Sequence, residues 1–423
     1  MIDIQLIRDN SREVVDRMKV RGMDAEELVN GLKNADLKRR QLQKQLDDTL
    51  AESNVLAKQI GELFKSGKAA EAEPLKKKSA LLKMEAKQLQ EELQEVTKVF
   101  NEQIVHLPNL PHPSVPPGNS EEENEIIKTE GKALKAKSGA LPHWELAKKY
   151  DIIDFEAGTK ITGSGFPVYK GQGARLQRAL ITFFLDESII AGYTEYQPPL
   201  LVNADSAYGT GQLPDKDGQM YHVPSDNLYL IPTSEVPVTN LFRDTIITAD
   251  ELPQKCTAYS VCFRREAGSY GKEVRGLNRL HQFDKVEIVQ VTEAEKSYAA
   301  LDEMVEHVTK ILRKLELPFR VSRLCGGDLG FAAALTYDME VWSAAQKRWL
   351  EVSSVSNFES FQANRLKLRY RTKDGKNLVA HTLNGSALAL PRIMAAILEN
   401  NQCNDGIAIP KALQVYTGFR YIQ

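Results

Sequence analysis

The string Phe263–Glu287, FRREAGSYGKEVRGLNRLHQFDKVE, is the densest polar segment of this chain. Its ends, to Glu266 and from Leu280, have strand character. Gly268, Gly271 and Gly276 lie between them with Lys272 and Arg275, which reads as a long flexible loop joining two strands. Arg264 and Arg279 stand at the base of that loop and could hold one phosphate chain, because a planar guanidinium binds phosphate through two parallel N–H bonds. Phe283 offers a flat face to a nucleobase. Taken singly, each residue is explained more simply as part of a solvated hairpin with a core Phe and surface Arg. The whole string is not.

Other chemistries find little support. There is no G-x-x-x-x-G-K-[ST] loop and no strand-linked G-x-G-x-x-G. The four cysteines form no CxxC pair and the seven histidines are scattered, so neither a disulfide framework nor a zinc site is expected. Lys+Arg is 55 and Asp+Glu 57, a net charge of -2, which excludes a uniformly basic nucleic-acid binder but not a local basic stripe. No run of about 18 apolar residues exists, and the opening MIDIQLIRDN lacks a secretory pattern. A cytoplasmic protein with no membrane partner is expected.

Something must position these residues, and 423 residues with 42% hydrophobic content leave room for more than one domain. From about Glu27 to Gln103 the composition is Lys, Glu, Gln, Leu and Ala. Ala35, Leu42, Thr49, Leu56 and Leu63 recur every seven residues, as do Leu75, Leu82, Leu89 and Val96. These heptads predict two long helices with a narrow apolar seam. The break FKSGKAAEAEP, with Gly67 and Pro74, makes them an antiparallel hairpin that projects into solvent. A dimerisation coiled coil is an equally simple account of the periodicity. The domains expected are this N-terminal arm over 1–105, a proline-rich linker and acidic connector over 106–139, and a mixed domain over 140–423.

In the last of these, helices are expected at Gln177–Ala191, Glu293–Leu315 and Leu388–Glu399. Strands are expected at Thr194–Leu201, Asn227–Leu230, Cys256–Phe263, Phe283–Val291, Met339–Trp342, Arg348–Ser354 and Leu366–Arg371. No βαβ rhythm appears, so the fold class is α+β, an antiparallel sheet flanked by helices.

The Phe263–Glu287 string resembles motif 2 of class II aminoacyl-tRNA synthetases, in its seryl-tRNA synthetase form. Motif 1 is matched by GYTEYQPPLLV at Gly192–Val202 and motif 3 by NGSALALPRIMAAILEN at Asn384–Asn400. PTSE at Pro232–Glu235 and EVSSVSNFESFQ at Glu351–Gln362 are similar to two further seryl-type strings. The order holds along the whole chain, and the hairpin stands where this family carries a tRNA-binding arm. The chain departs from the pattern at Pro391, where a small residue is usual, at Asn364 in place of a second Arg, and at WSAAQ, where a proline is common.

The resemblance implies serine activation by ATP, then transfer to the 3′-terminal adenosine of serine tRNA. A carboxylate is already a nucleophile, so no general base is needed; the protein positions two anions and neutralises charge on phosphate. By resemblance, Arg264 contacts the α-phosphate and the serine carboxylate, Arg392 the γ-phosphate, and Arg279 supports bent ATP. Phe283 stacks on adenine, Glu266 faces its amino group, and Arg265, Leu280, His281, Gln282, Val352 and Ser353 line the nucleotide. Glu351 and Ser354 hold Mg2+. Thr233, Ser234, Glu235, Glu287, Asn384 and Ser386 form the L-serine pocket, and which carboxylate takes the ammonium stays open. A homodimer through motif 1 is implied, and recognition of the long variable arm of serine tRNA by the hairpin, with selenocysteine tRNA as a further substrate the same arm could take. Lys33, Lys38, Arg39, Arg40 and Lys44, and Lys76, Lys77 and Lys78, would supply its basic edge. Two rivals are a relative that loads a carrier protein, which lacks such an arm, and a catalytically dead coiled-coil tether, which would have lost Arg264, Glu266, Glu351 or Arg392.

Overall fold

A computed structural model describes residues 1–133, 139–215, 217–266 and 275–423. The chain divides into two units. One is Ile2–Lys19 with Met23–Pro108; the other is Asn109–Gln423 with Met1 and Val20–Gly22.

In the first unit the heptads form helices. Short α1 (Ile4–Asp9) and α2 (Ser11–Val20) precede α3 (Glu26–Lys65) and α4 (Ala69–Ile104). At 1.5 Å per residue the long pair spans about 60 and 54 Å. Leu42, Leu46, Thr49 and Leu56 of α3 are buried, as are Ala72, Leu82 and Phe100 of α4, so the seam follows the seven-residue period. The turn is Ser66–Lys68, with Gly67 at φ +75°. Pro74 does not break the chain as expected but lies inside α4. Its fixed φ is helical, and near the helix start the missing N–H forfeits a single bond.

Asp36 interrupts the apolar seam, and its carboxylate is fully buried. It accepts from Arg8 Nε at 2.6 Å and Nη2 at 2.8 Å, from Arg39 Nη2 at 2.9 Å and from Arg40 Nε at 3.0 Å. Arg39 also lies over the Phe100 ring at 4.9 Å. This corrects the expected basic edge: Arg39 and Arg40 neutralise an internal acid. Lys33 is bonded to Ser11, Lys76 to Glu73 and Lys78 to Glu52.

The second unit is built on a sheet of eight strands. They are β1 (Glu125–Glu130), β2 (Thr194–Glu195), β3 (Gln254–Phe263), β4 (Gln282–Thr292), β5 (Phe319–Arg323), β6 (Leu335–Ser343), β7 (Arg348–Asn357) and β8 (His381–Ala389). Their order is β1-β5-β6-β7-β8-β4-β3-β2, antiparallel throughout except β2 on β3. The helices that bear on the site are α5 (Gly171–Ile190), α6 (Glu235–Asn240), α7 (Ser297–Lys314), α8 (Phe361–Arg365) and α9 (Leu390–Asn400), among others in the unit. Phe184 of α5, Met304, Val308 and Leu312 of α7, and Ile393 and Ile397 of α9 share one core with Val286 and Ile288 of β4, Met339 of β6 and Leu383 of β8. Val238 of α6 packs elsewhere, with Cys256, Ala258 and Val289.

Several expected boundaries move. The strand expected at Thr194–Leu201 ends at Glu195, because Pro198–Pro199 cannot donate to a ladder; Leu201–Asn203 pairs in a separate small sheet. Asn227 takes a left-handed turn, φ 52°, and Leu366–Leu368 follow α8 before a strand at Arg369–Arg371. Helix α7 begins only at Ser297, after a 3-10 turn. Strand β8, whose small residues NGSALA carried no strand signal, was not expected. Pro391 falls in the first turn of α9, where a helix has no use for its N–H. The segment from Asn109 is packed rather than free: Asn109 Nδ2 donates to Ala332 O at 2.9 Å and Phe358 O at 2.8 Å, and β1 forms a sheet edge.

Asp36 yields a test of the first unit. Burial pushes its carboxyl up, but the bonds from Arg8 and Arg39 outweigh that and hold it below the usual range. A depressed folded pKa contributes stability above the unfolded value of about 4 that is lost as pH falls through the folded value. Replacing Asp36→Ala leaves three arginines facing an apolar seam and should cost about 1–3 kcal/mol, since the arginines keep partial solvent access. Hydrogen exchange of α3 amides at pH 7 and pH 3 should show the loss at pH 7 and a smaller difference at pH 3.

Candidate active site

Strand β4 sorts side chains by alternation. Val286 and Ile288 enter the helix-covered core, so Lys285 and Glu287 face the opposite side. Both are buried charges. Lys285 Nζ lies 2.5 Å from Glu287 Oε2 and donates to Thr233 Oγ1 at 3.0 Å. Ser386, opposite Glu287 on β8, donates to its Oε2 at 3.5 Å. Asn384, half-buried, lies two residues away on the same face. Gly385 between them is required: a Cβ there would meet Val355 Cγ2 at 2.9 Å.

Thr233 and Glu235 meet this cluster at the start of α6. Glu235 N–H donates to Thr233 Oγ1 at 3.1 Å, and Glu235 Oε1 accepts from Gln362 Nε2 of α8 at 2.6 Å. Burial, then the nearby charge of Glu287, raises the Glu235 carboxyl to about 7, with Gln362, Lys285 and Arg264 offsetting part of the rise. Glu287 is also raised, by burial, against the pull of Lys285 and Arg264. Ser234 departs from expectation. It is fully buried and its Oγ donates to Ser260 Oγ at 2.5 Å, so it props the segment instead of facing the pocket.

Arg264 leaves the end of β3. Its N–H donates to His281 O at 2.9 Å, its Nε to Pro232 O at 3.3 Å, and its guanidinium lies over the Phe283 ring at 5.3 Å. His281 is clamped: its N–H donates to Gly165 O, and its ring stacks on Phe166 at 5.5 Å. Gly165, at φ +83°, must lack a Cβ, which would sit 2.4 Å from His281 Cδ2. Leu280 is buried, while Arg265 and Gln282 are exposed, and Gln282 pairs in register with Phe263. Glu266, in a left-handed conformation at φ 49°, forms an ion pair with Arg279. In this conformation the two occupy each other instead of flanking a nucleotide. The loop residues Gly268, Gly271 and Lys272 lie outside the described residues.

Glu351 and Ser354 are three apart on β7, a spacing that regular alternation would put on opposite faces. The register resolves this. Glu351 pairs with Glu340 and Ser353 with Met339, which leaves Val352 as an extra residue. Past that bulge Ser354 returns to the face of Glu351 and donates to its Oε1 at 3.4 Å. Val352 and Ser353 are buried, and Ser353 Oγ donates to Ser386 O, so their side chains do not line the face. Arg392, on α9, donates to Glu351 O at 2.7 Å and lies 3.4 Å from Glu351 Oε2.

Three participants were not singled out in the sequence. Lys285 was visible as K-x-E, two residues from Glu287 on one strand face. Gln362 lay inside a matched string with no assigned role. Asp338, opposite Ser354 on β6, has a buried Oδ1 without a partner, and burial, then Glu351, raises its carboxyl. Among the described residues no three His, Cys, Asp or Glu side chains come together as a metal cage. Nor is any helix among them long and apolar enough to cross a membrane.

Residues 221–401 match the family described as tRNA synthetase class II core domain (G, H, P, S and T), and residues 1–111 match the seryl-tRNA synthetase N-terminal domain. The chain is 51% identical to a serine–tRNA ligase of Salinibacter ruber, over 100% of this chain and 99% of that one. It is similar to the crystal structure of seryl-tRNA synthetase from Pyrococcus horikoshii complexed with ATP, with a TM-score of 0.92 at 34% identity over 99% of each chain. A cytoplasmic serine–tRNA ligase from Naegleria fowleri in complex with AMP gives a TM-score of 0.89 at 26% identity, over 100% of this chain and 99% of that one. With a full-length relative at this identity, and with both halves of the chain matched, the chain belongs to the seryl-tRNA synthetase family of class II aminoacyl-tRNA synthetases.

Proposed function

We infer that the chain activates L-serine with ATP to seryl-adenylate and transfers the seryl group to serine tRNA, using the residues described above. One observation carries the assignment of the amino-acid pocket. Among the described residues Glu235 has no cationic partner and Arg264 no carboxylate partner, whereas Glu287 is matched by Lys285 and Glu351 by Arg392. Two groups of opposite sign, each without an ion-pair partner and beside one strand, suit a zwitterionic amino acid. Glu235 takes the ammonium, and Arg264 takes the carboxylate and the α-phosphate it attacks. Glu287 and Ser386, with Thr233 and Asn384 beside them, receive the serine hydroxyl. An alanine would leave those buried groups unpaired.

On the nucleotide side, Arg264 and Arg392 neutralise charge on the phosphates, and Phe283 supplies a face for adenine once Arg264 turns to substrate. Glu266 and Arg279 separate to flank ATP. Glu351 and Ser354 fit a magnesium ion: the bulge aligns a carboxylate and a hydroxyl oxygen, and two protein ligands leave positions for phosphate oxygens and water. The ion would add positive charge where pyrophosphate leaves. The hairpin would lay its solvent face on the long variable arm of serine tRNA, with Lys38, Lys44 and Lys77 as phosphate contacts. Selenocysteine tRNA would be taken by the same shape. The exposed Leu200 and Leu201 of the motif 1 segment, and Ile189 and Ile190 just before it, suit a homodimer interface.

Serine-dependent ATP–pyrophosphate exchange is the direct test; folded protein that shows none with serine would overturn the reading. Glu235→Gln should raise KM for serine about 100-fold, or ~3 kcal/mol, with little change in KM for ATP. Because burial and Glu287 push the free carboxyl up to about 7, kcat/KM for serine should fall about tenfold per unit as pH drops below that value, and the variant should lose this limb. Deleting Gly31–Gln103 should leave exchange largely intact and abolish tRNA charging, whereas equal loss of both would refute a separate recognition arm.

A further inference from the structure

The chain holds a second buried ionisable pair that the chemistry above does not use. His143 and Glu399 are fully buried at their side chains, with His143 Nδ1 2.7 Å from Glu399 Oε1. The other ring nitrogen, Nε2, accepts the backbone N–H of Leu277 at 2.8 Å. An Nε2 that accepts places the ring proton on Nδ1, where it is donated to Glu399. Leu277 belongs to the limb returning from the motif 2 loop, just before Arg279. Above the ring, Gly276 at φ +69° passes so close that a Cβ would lie 2.2 Å from Nε2.

The network continues toward the phosphate site. Glu399 Oε1 accepts from Gln346 Nε2 at 2.9 Å, and its Oε2 accepts from Ser343. Gln346 Oε1 accepts from Asn278 Nδ2 at 2.9 Å. The Asn278 carbonyl then accepts from Arg392 Nε at 3.1 Å. Every link is a directional bond between buried or half-buried groups, where a lost partner leaves an unsatisfied polar atom. Arg392 is thereby held from two sides, by Asn278 O at Nε and by Glu351 O at Nη1.

We propose that His143 and Glu399 are positioning residues for ATP: they fix the returning limb of the motif 2 loop, and through Asn278 they fix the angle at which Arg392 meets the triphosphate. A fixed guanidinium needs no reorganisation when charge develops on phosphate. Serine binding does not pass through this network, so its loss should appear on the nucleotide side alone.

The inference rests on Arg392 as a triphosphate ligand, and a double-mutant cycle separates the two claims. In ATP–pyrophosphate exchange, His143→Leu should raise KM for ATP about tenfold and leave KM for serine within twofold. His143→Gln, which restores an acceptor for Leu277 N–H and a donor for Glu399, should recover most of that loss. In an Arg392→Ala background, His143→Leu should add little. Equal effects of His143→Leu with and without Arg392, or an equal rise in both KM values, overturn the positioning role. An Arg392→Ala variant with unchanged KM for ATP overturns the reading of Arg392 itself. If His143→Leu fails to fold, Asn278→Ala carries the same cycle, since it cuts the link to Gln346 without stranding a buried acid.

Discussion

Much of the catalytic unit follows from burying Glu287. A carboxylate in the middle of a sheet strand is unfavourable unless a cation and hydrogen bonds meet it. Lys285 supplies the cation from two residues away on the same strand, so the pair survives only if β4 alternates without interruption across both positions. That alternation in turn sends Val286 and Ile288 into the core under α5, α7 and α9. The hydrophobic core and the polar pocket are therefore two sides of one strand. A slip of one residue in register would bury Lys285 and Glu287 among Phe184 and Met304 and would destroy both.

Strand β7 solves the opposite problem. Glu351 and Ser354 need to share a face at a spacing that a regular strand forbids, and the extra residue at Val352 brings them together. The bulge also lets Val352 and Ser353 stay buried, with Ser353 tied to the backbone of β8 next to Ser386. A local irregularity in one strand thus links the Glu351–Arg392 cluster to the Glu287–Ser386 cluster.

These two devices mark where the sequence could be read and where it could not. The heptads of the hairpin and the strands flanking the motif 2 string were legible because each leaves a periodic signal, and the site strings were legible as resemblance. Strand β8 was not, because Asn384, Gly385 and Ser386 are chosen for close approach and hydrogen bonding rather than strand propensity. The shared face of Glu351 and Ser354 was hidden too, since a bulge shows only in the register. Arg39 and Arg40 looked like an RNA-facing edge. The charge they serve, Asp36, is a buried acid one residue past Ala35 of the heptad series, so the heptad pattern gave no sign of it.

The charges of the site also explain how a chain with a net charge of -2 can bind a polyanion such as ATP. Arg392 rests on Glu351 and Arg279 on Glu266, so the two cations proposed to meet phosphate are each held by a protein carboxylate. Such pairs are half-exposed and weak, and they keep the guanidiniums ordered without a large desolvation cost. Binding a triphosphate then exchanges one anion for another rather than bringing charge to an empty cationic cleft. Discrimination comes from what is left over. Any anion could take part in the exchange, but on the proposed assignment only a ligand carrying an ammonium and a carboxylate at the right separation would satisfy Glu235 and Arg264 together. On the roles proposed above, Arg264 would serve both the phosphate and the amino acid, Arg392 and Arg279 the phosphate alone, and Glu235 the amino acid alone.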